Sequence, residues 1–133
     1  MVTEISVKTD SKTTLVDITE KIREAVGKTG IKNGICHLYA PHTTAAITIN
    51  ENYDPSVGVD IVGEMNKLIP MNGHYQHQEG NAAAHIKSAI IGSSRSVFIE
   101  NGNLVLGTWQ GIFFCEFDGP RRRKVLMKIV TED

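Results

Sequence analysis

Three histidines and one glutamate lie in two short polar segments of the chain, and their residue types could support metal or acid–base chemistry. His42 lies in the first segment, and His77, Glu79 and His85 lie in the second. A neutral imidazole is the commonest protein ligand for zinc and similar metals, and three are enough for an open catalytic site. We therefore expect the three imidazoles to converge in one pocket. The alternative stays open that each is an ordinary hydrogen-bonded histidine, because the spacing matches no specific metal motif.

Glu79 has three interpretations from the sequence. It could act as a general base, or it could orient a ligating histidine through a hydrogen bond. It could also be an acidic residue that interacts with the N-terminus of the following helix. The sequence alone leaves these three roles open.

A third segment, which runs from Gly107-Thr108-Trp109-Gln110 through Glu116-Phe117-Asp118-Gly119-Pro120-Arg121, is expected to close the same pocket. Trp109 could offer a stacking face for a ring, although tryptophan is most often a core residue. Gln110 beside it could form a hydrogen bond with a substrate.

Arg121 follows the turn Asp118-Gly119-Pro120 and begins the basic run Arg121-Arg122-Arg123-Lys124. A guanidinium held by a turn could bind a phosphate group through two parallel hydrogen bonds. The other interpretation is a solvated strand edge, where basic residues discourage pairing with another chain. Alternation along a strand places Arg121 and Arg123 on one face and the other two basic residues on the opposite face.

The composition indicates one globular domain, residues 1–133. The chain has 133 residues, 41% apolar and 22% charged, and a net charge of −1, which argues against disorder and against general nucleic-acid binding. No apolar run approaches the roughly 20 residues that span a bilayer, and the N-terminus lacks secretory features, so we expect a cytoplasmic protein without a membrane partner. Cys36 and Cys115 have no C-x-x-C spacing and are expected to be buried free thiols.

Hydrophobic periodicity and turn residues predict about seven strands and three short helices, mostly with hairpin-length connections. Asp17, Asp54 and Asn81 are predicted to cap the three helices, and Gly111 is predicted to form a bulge. The fold class expected is therefore α+β, a single domain with a largely antiparallel sheet or sandwich. The second helix has an apolar stripe, expected to be buried, formed by Val57, Ile61, Met65 and Leu68.

The full set of motifs resembles the YjbQ family, whose members are described as secondary thiamine-phosphate synthases. The resemblance covers nearly the whole chain, and the order of the motifs is specific. The motifs are Pro41-His42-Thr43-Thr44-Ala45, Ile49-Asn50-Glu51-Asn52, Asp54-Pro55, Asp60, His77-x-Glu79-Gly80-Asn81, Ala84-His85, Leu106-Gly107-Thr108-Trp109-Gln110 and Glu116-Phe117-Asp118-Gly119-Pro120-Arg121.

This resemblance implies a homotrimer with a histidine-lined pocket near a subunit interface, which holds a divalent metal such as zinc. It also implies a transferase that joins a pyrimidine pyrophosphate to a thiazole phosphate. The expected catalytic residues are His77, Glu79 and His85, and the expected metal ligands are His42, His77 and His85. The expected substrate-binding residues are Thr43, Asn81, Trp109, Gln110 and Arg121.

Two other functions stay open from the sequence. One is a metal-dependent hydrolase that acts on a phosphorylated or amide substrate. The other is a non-catalytic trimeric module that binds a metal or a small metabolite. The chain has no acidic D-D-x-x-D motif for a magnesium-bound pyrophosphate, and it has no P-loop or nucleophile elbow.

Overall fold

The computed structural model of the protein describes residues 1–132, which form an α+β fold with two antiparallel sheets. The strands are β1 (Thr3–Lys8), β2 (Thr14–Asp17), β3 (Gly34–Tyr39), β4 (Ala45–Glu51), β5 (Ser94–Glu100), β6 (Asn103–Leu104), β7 (Gln110–Glu116) and β8 (Arg122–Thr131). The helices are α1 (Thr19–Thr29), α2 (Pro55–Leu68) and α3 (Ala82–Ile91). The expected fold class is confirmed.

The two sheets pack face to face around the main core. The larger sheet has the order β1-β8-β3-β5-β6, and the smaller has the order β2-β7-β4. Alternating residues of each strand point inward, as Val125 and Met127 of β8 do, while Lys124 and Lys128 point to solvent. Both sheets contribute to one buried cluster, which includes Val7, Leu38, Ile47, Val97, Phe114 and Met127.

Helices α1 and α3 cover different sides of this sandwich. Ile18, just before α1, and Ile22 within it are fully buried in the main core. In α3, Ala84 packs with Ala46 and Cys115 in a second cluster on the outer face of the small sheet. No helix in residues 1–132 is long and apolar enough to cross a membrane.

Helix α2 begins as predicted but packs differently. The Asp54 side chain accepts a hydrogen bond of 2.9 Å from the backbone N–H of Ser56, and Pro55 is the first helical residue. None of its residues is buried, and Leu68 is 71% exposed. The prediction of a buried apolar stripe on this helix is therefore wrong for a single copy of the chain.

Three local predictions need correction. Strand β2 ends at Asp17, so Ile18 rather than Asp17 is the N-cap of α1; Asp17 instead accepts hydrogen bonds from Thr19. Gly111 is not a bulge, because it pairs in regular register with Asn50. The strand predicted over 107–117 begins only at Gln110.

Both cysteines are free and buried, as predicted. Burial raises the pKa of the Cys36 thiol to about 11 and that of the Cys115 thiol to about 12. A thiol must lose its proton to act as a nucleophile or metal ligand, so both side chains serve as apolar core residues at neutral pH.

Candidate functional site

Three of the polar segments meet at one end of the small sheet. Strands β4 and β7 are antiparallel neighbours, so the start of β4 and the end of β7 lie at the same edge. The Phe117 N–H donates a hydrogen bond of 3.1 Å to the carbonyl oxygen of Thr44. At the start of α3, Asn81 Nδ2 donates one of 3.0 Å to Asp118 Oδ2. We call the polar side chains gathered here the Glu116–Asp118 cluster.

A buried ion pair forms the inner part of this cluster. Glu116 is 0% exposed and Arg123 9% exposed. Arg123 donates from Nε to Glu116 Oε1 at 2.8 Å and from Nη2 to Oε2, and it also donates to Thr44 Oγ1 at 2.8 Å. Thr9 Oγ1 and the Asp118 N–H donate to the same carboxylate. Burial alone would raise the pKa of Glu116, but these donors outweigh it, and the pKa lies below its ordinary value.

Asp118 forms the outer part of the cluster and holds two basic side chains. Lys12 Nζ is 2.6 Å from Oδ1, and Arg121 Nη2 is 3.1 Å from Oδ2. Burial raises the pKa of Asp118, whereas the hydrogen bonds from Lys12, Asn81 and Arg121 lower it more, and the result is a pKa of about 2. Lys12 and Arg121 keep 50% and 53% of their side chains exposed. Asp118 therefore stays ionised at neutral pH and holds two cations, Lys12 and Arg121, that remain partly exposed to solvent.

The basic run is divided between two environments. Arg121 precedes β8 and folds back, so that its Nε donates to the Asp118 carbonyl oxygen at 2.7 Å. Arg123 faces the interior, so the interpretation of the whole run as a solvated edge is wrong at this position. In residues 1–132, no acceptor is hydrogen-bonded to Arg121 Nη1. Arg121 can therefore offer a further donor to a ligand, whereas Arg123 already has its partners.

His77, in the loop before α3, and His85, within α3, form a pair. Their ring centroids are 5.2 Å apart with an interplanar angle of 79°. His77 Nε2 lies 3.8 Å from Glu79 Oε2. The pair contributes to a shallow pocket of about 370 Å³, which is lined by Tyr75, Gln76, His77, Ala82, His85 and Ile86. The residues expected to act as acid, base or ligand in this segment are therefore neighbours.

His42 is absent from the residues that line that pocket. Its Nε2 lies 3.1 Å from both the backbone N and O of Lys124, and its ring packs edge to face on Phe114 at 6.2 Å. Burial and then the charge of Arg123 lower the pKa of His42. Residues 1–132 contain no group of three His, Cys, Asp or Glu side chains placed to hold one metal ion. The predicted three-histidine site is thus not assembled within one copy of the chain.

Trp109 and Gln110 lie at the opposite end of β7 from Glu116, roughly 20 Å away at about 3.3 Å per residue. Trp109 packs edge to face on Tyr53 at 4.9 Å, and Gln110 accepts a hydrogen bond of 2.8 Å from the Gly107 N–H. The prediction that residues 107–110 close the same pocket as 116–121 is wrong within one chain, because a straight strand separates them.

The sequence predicts substrate binding for Thr43 and assigns no role to Thr44. Thr43 is exposed, while Thr44 is buried and its Oγ1 accepts a hydrogen bond from Arg123.

Asn81 occupies the N-cap position of α3 without capping it, because its side-chain amide turns to Asp118. Its Oδ1 is buried, and nothing within residues 1–132 donates a hydrogen bond to it. The cluster therefore has one unfilled acceptor beside its two exposed cations.

Sequence reasoning missed one buried basic residue, Lys87 in α3. It is 0% exposed, its Nζ lies 2.5 Å from Asn66 Oδ1, and the Phe117 ring centroid is 5.9 Å from Nζ. Burial lowers its pKa. A signal existed in the sequence, because Lys87 is three residues after Ala84 and four before Ile91, on the apolar stripe of the helix.

Comparisons with known proteins agree with the motif resemblance. A family model described as UPF0047 protein YjbQ-like matches residues 3–132. UPF0047 protein MJ1081 of Methanocaldococcus jannaschii is 52% identical over 132 residues, which are 99% of this chain and 96% of that protein. UPF0047 protein YugU of Bacillus subtilis is 46% identical over 131 residues, 98% of this chain and 99% of that protein.

Solved structures agree equally well. A YjbQ/UPF0047 family protein of Clostridium acetobutylicum superposes with a TM-score of 0.94 at 52% identity, over 96% of this chain and 99% of that one. A protein of unknown function from Sulfolobus solfataricus, described as YbjQ-like, gives 0.94 at 37% identity, over 99% and 97%. With a family model that spans nearly all of its residues, and with close relatives of the same length and fold, the chain belongs to the YjbQ/UPF0047 family.

Proposed function

We propose that the Glu116–Asp118 cluster binds a small phosphorylated metabolite, and that the protein is a thiamine-phosphate-synthase-like transferase. The observation that carries the proposal is the pair of half-exposed cations, Lys12 and Arg121, held on one ionised carboxylate. Such a carboxylate fixes the position of both cations before a ligand arrives, and preorganised charge is what stabilises an anionic leaving group. The family resemblance supplies the reaction type.

In the proposed reaction, the bond between the pyrimidine methylene carbon and the pyrophosphate oxygen breaks, and its electron pair leaves with the pyrophosphate. The thiazole nitrogen forms the new bond to that carbon. Arg121 and Lys12 would stabilise the charge that develops on the leaving oxygen. His77, His85 and Glu79 would lie beside the reacting rings, and Thr43 and Asn81 would contact the substrate from the edges of the site. Trp109 and Gln110 could take part only from another copy of the chain.

Arg121→Ala is expected to weaken pyrophosphate binding by roughly 1.5–3 kcal/mol, the range for hydrogen bonds to charged groups. Arg121→Lys should restore only part of the affinity, because an ammonium keeps the charge but loses the planar fork. Calorimetric titration with pyrophosphate measures this. Arg122→Ala is the matched control, since Arg122 is exposed on the outer face of β8. Equal affinities for wild type and all three variants would show that Arg121 is a solvated surface residue that does not bind pyrophosphate.

The reaction itself is tested by incubating the protein with both substrates. Thiamine phosphate and pyrophosphate should appear in equal amounts, and the rate should fall in Arg121→Ala but not in Arg122→Ala. Pyrophosphate binding without product formation would instead favour the binding-module alternative.

The second candidate is a trimeric module that binds a metal or a metabolite, and the His77–His85 pair favours it. We propose that these two imidazoles bind one divalent metal ion together with a ligand from a neighbouring copy. Elemental analysis of purified protein should then find the metal in wild type, with loss in His77→Ala and His85→Ala. His74→Ala is the control, because His74 is an exposed residue of the same loop. Metal retained by both variants would refute this assignment, and a wild type without metal would also count against the metal-dependent hydrolase.

We also propose the homotrimer, with a cytoplasmic location. An apolar row crosses three neighbouring strands on the outer face of the large sheet, formed by Ile35, Phe98 and Val130. Phe98 is 64% and Val130 50% exposed, and contiguous exposed apolar surface marks interaction sites. Phe98→Glu should therefore convert a trimer, seen by light scattering, into monomers, whereas Ser96→Glu on the same face should not. A monomeric wild type at micromolar concentration would contradict the proposal.

A further inference from the structure

Lys87 is a buried amine with no counter-charge. It is 0% exposed, and within residues 1–132 no carboxylate oxygen lies within 4.0 Å of its Nζ. An ammonium has three donors, and within residues 1–132 the only hydrogen-bond partner of Nζ is the neutral Asn66 Oδ1. A buried charge is costly unless it is paired. The other buried basic residue, Arg123, has its carboxylate, so the missing partner sets Lys87 apart.

The fold does not require an amine at this position. The surroundings of Lys87 include the Phe117 ring, which offers a weak cation–π contact at 5.9 Å. Even a buried ion pair can often be replaced by apolar side chains of similar volume at little cost or with a gain in stability, and an unpaired amine has no ion pair to lose. The amine is therefore better explained by an interaction that this structure does not contain.

The end of helix α2 supplies the hydrogen-bond partner of Lys87. The partner Asn66 belongs to the last turns of α2, and it is itself an exposed residue. Residues 66–68 at the end of α2 are exposed, so a shift of this turn would uncover little buried surface. The Phe117 ring centroid lies 5.9 Å from Nζ, and the chain neighbours of Phe117, Glu116 and Asp118, define the polar cluster. A ligand at the cluster would therefore bind one residue along the chain from the ring that contacts the amine.

We propose that Lys87 binds a phosphate or pyrophosphate group of the ligand, which takes the place of Asn66 Oδ1 when the last turns of α2 move aside. The choice of a phosphorylated ligand rests on the proposed function. An anion at this position supplies the counter-charge that the chain itself omits, and it gives the unused donors of Nζ their acceptors. Lys87 then acts as an anion-binding residue separate from Arg121.

The test is calorimetric titration of wild type and two variants with pyrophosphate. Lys87→Met should weaken binding about 10- to 100-fold, the equivalent of one charged hydrogen bond. Asn66→Asp places a carboxylate against Nζ, so it should raise the melting temperature without ligand and weaken pyrophosphate binding by a similar factor. A purely structural Lys87 would predict the first effect of Asn66→Asp but not the second. Lys67→Met, an exposed neighbour on α2, is the control and should bind like wild type.

The outcomes separate the inference from the proposed function. Wild-type affinity in Lys87→Met and Asn66→Asp, with loss in Arg121→Ala, would overturn the role of Lys87 and leave the proposed site standing. Loss in Lys87→Met and Asn66→Asp, with full affinity in Arg121→Ala, would support Lys87 and move the ligand away from Arg121. If Lys87→Met does not fold, Asn66→Asp decides alone. A wild type that does not bind pyrophosphate would overturn the inference. The assay for thiamine phosphate formation would then still test the proposed reaction independently.

Discussion

Arg123→Ala is expected to lower the free energy of unfolding by about 3–5 kcal/mol, the cost of leaving one partner of a buried ion pair uncompensated. Glu116 is 0% exposed, so its carboxylate would lose two hydrogen bonds and its counter-charge without gaining water. Denaturant unfolding at pH 7 measures the change. Arg122→Ala, from the same basic run but exposed, should change stability by no more than about 0.5 kcal/mol.

A double variant separates the loss of the pair from the loss of one partner. Glu116→Leu with Arg123→Met removes both charges and keeps the volume, so its cost should be much smaller than that of Arg123→Ala alone. The ion pair would prove unimportant for stability if Arg123→Ala unfolded at the same denaturant concentration as Arg122→Ala.

Asp118→Asn is expected to cost roughly 2–3 kcal/mol at pH 7 and to lose that effect in acid. The folded pKa is about 2, below the unfolded value of about 3.9. Because the folded pKa is the lower one, the ionised carboxylate stabilises the fold above about pH 4, and this contribution disappears as the pH falls towards 2. Unfolding free energies of wild type and variant, measured from pH 7 to pH 2, should therefore converge.

Asp10→Asn is the control for that titration. Asp10 is exposed, and its side chain accepts a hydrogen bond only from Ser11 within the described residues. The free energy of unfolding of Asp10→Asn should match that of wild type at each pH from 7 to 2. A constant offset between Asp118→Asn and wild type, down to pH 2, would show that Asp118 acts through packing and not through its charge.

Local signals predicted most of the secondary structure. Asp54-Pro55 begins α2 through a side-chain cap and a preset φ, and Asn101-Gly102 forms the β5–β6 turn with both residues at positive φ, 52° and 81°. These features depend only on neighbours along the chain. The four-residue strand β2 was missed because Thr14–Asp17 carries little periodicity and its pairing with β7 is long-range.

The sequence also identified the polar segments of the site, because turns, glycines and clustered polar residues are properties of short stretches. It could not assign their partners. Thr9 and Glu116 are 107 residues apart when they form their hydrogen bond, and sheet register alone brings them together. Register likewise buried Arg123, and the length of β7 separated Trp109 from Asp118, whereas Arg121 stayed half-exposed in the turn before β8. The residues available for chemistry were therefore determined by the sequence, whereas the tertiary structure decided which of them can act together.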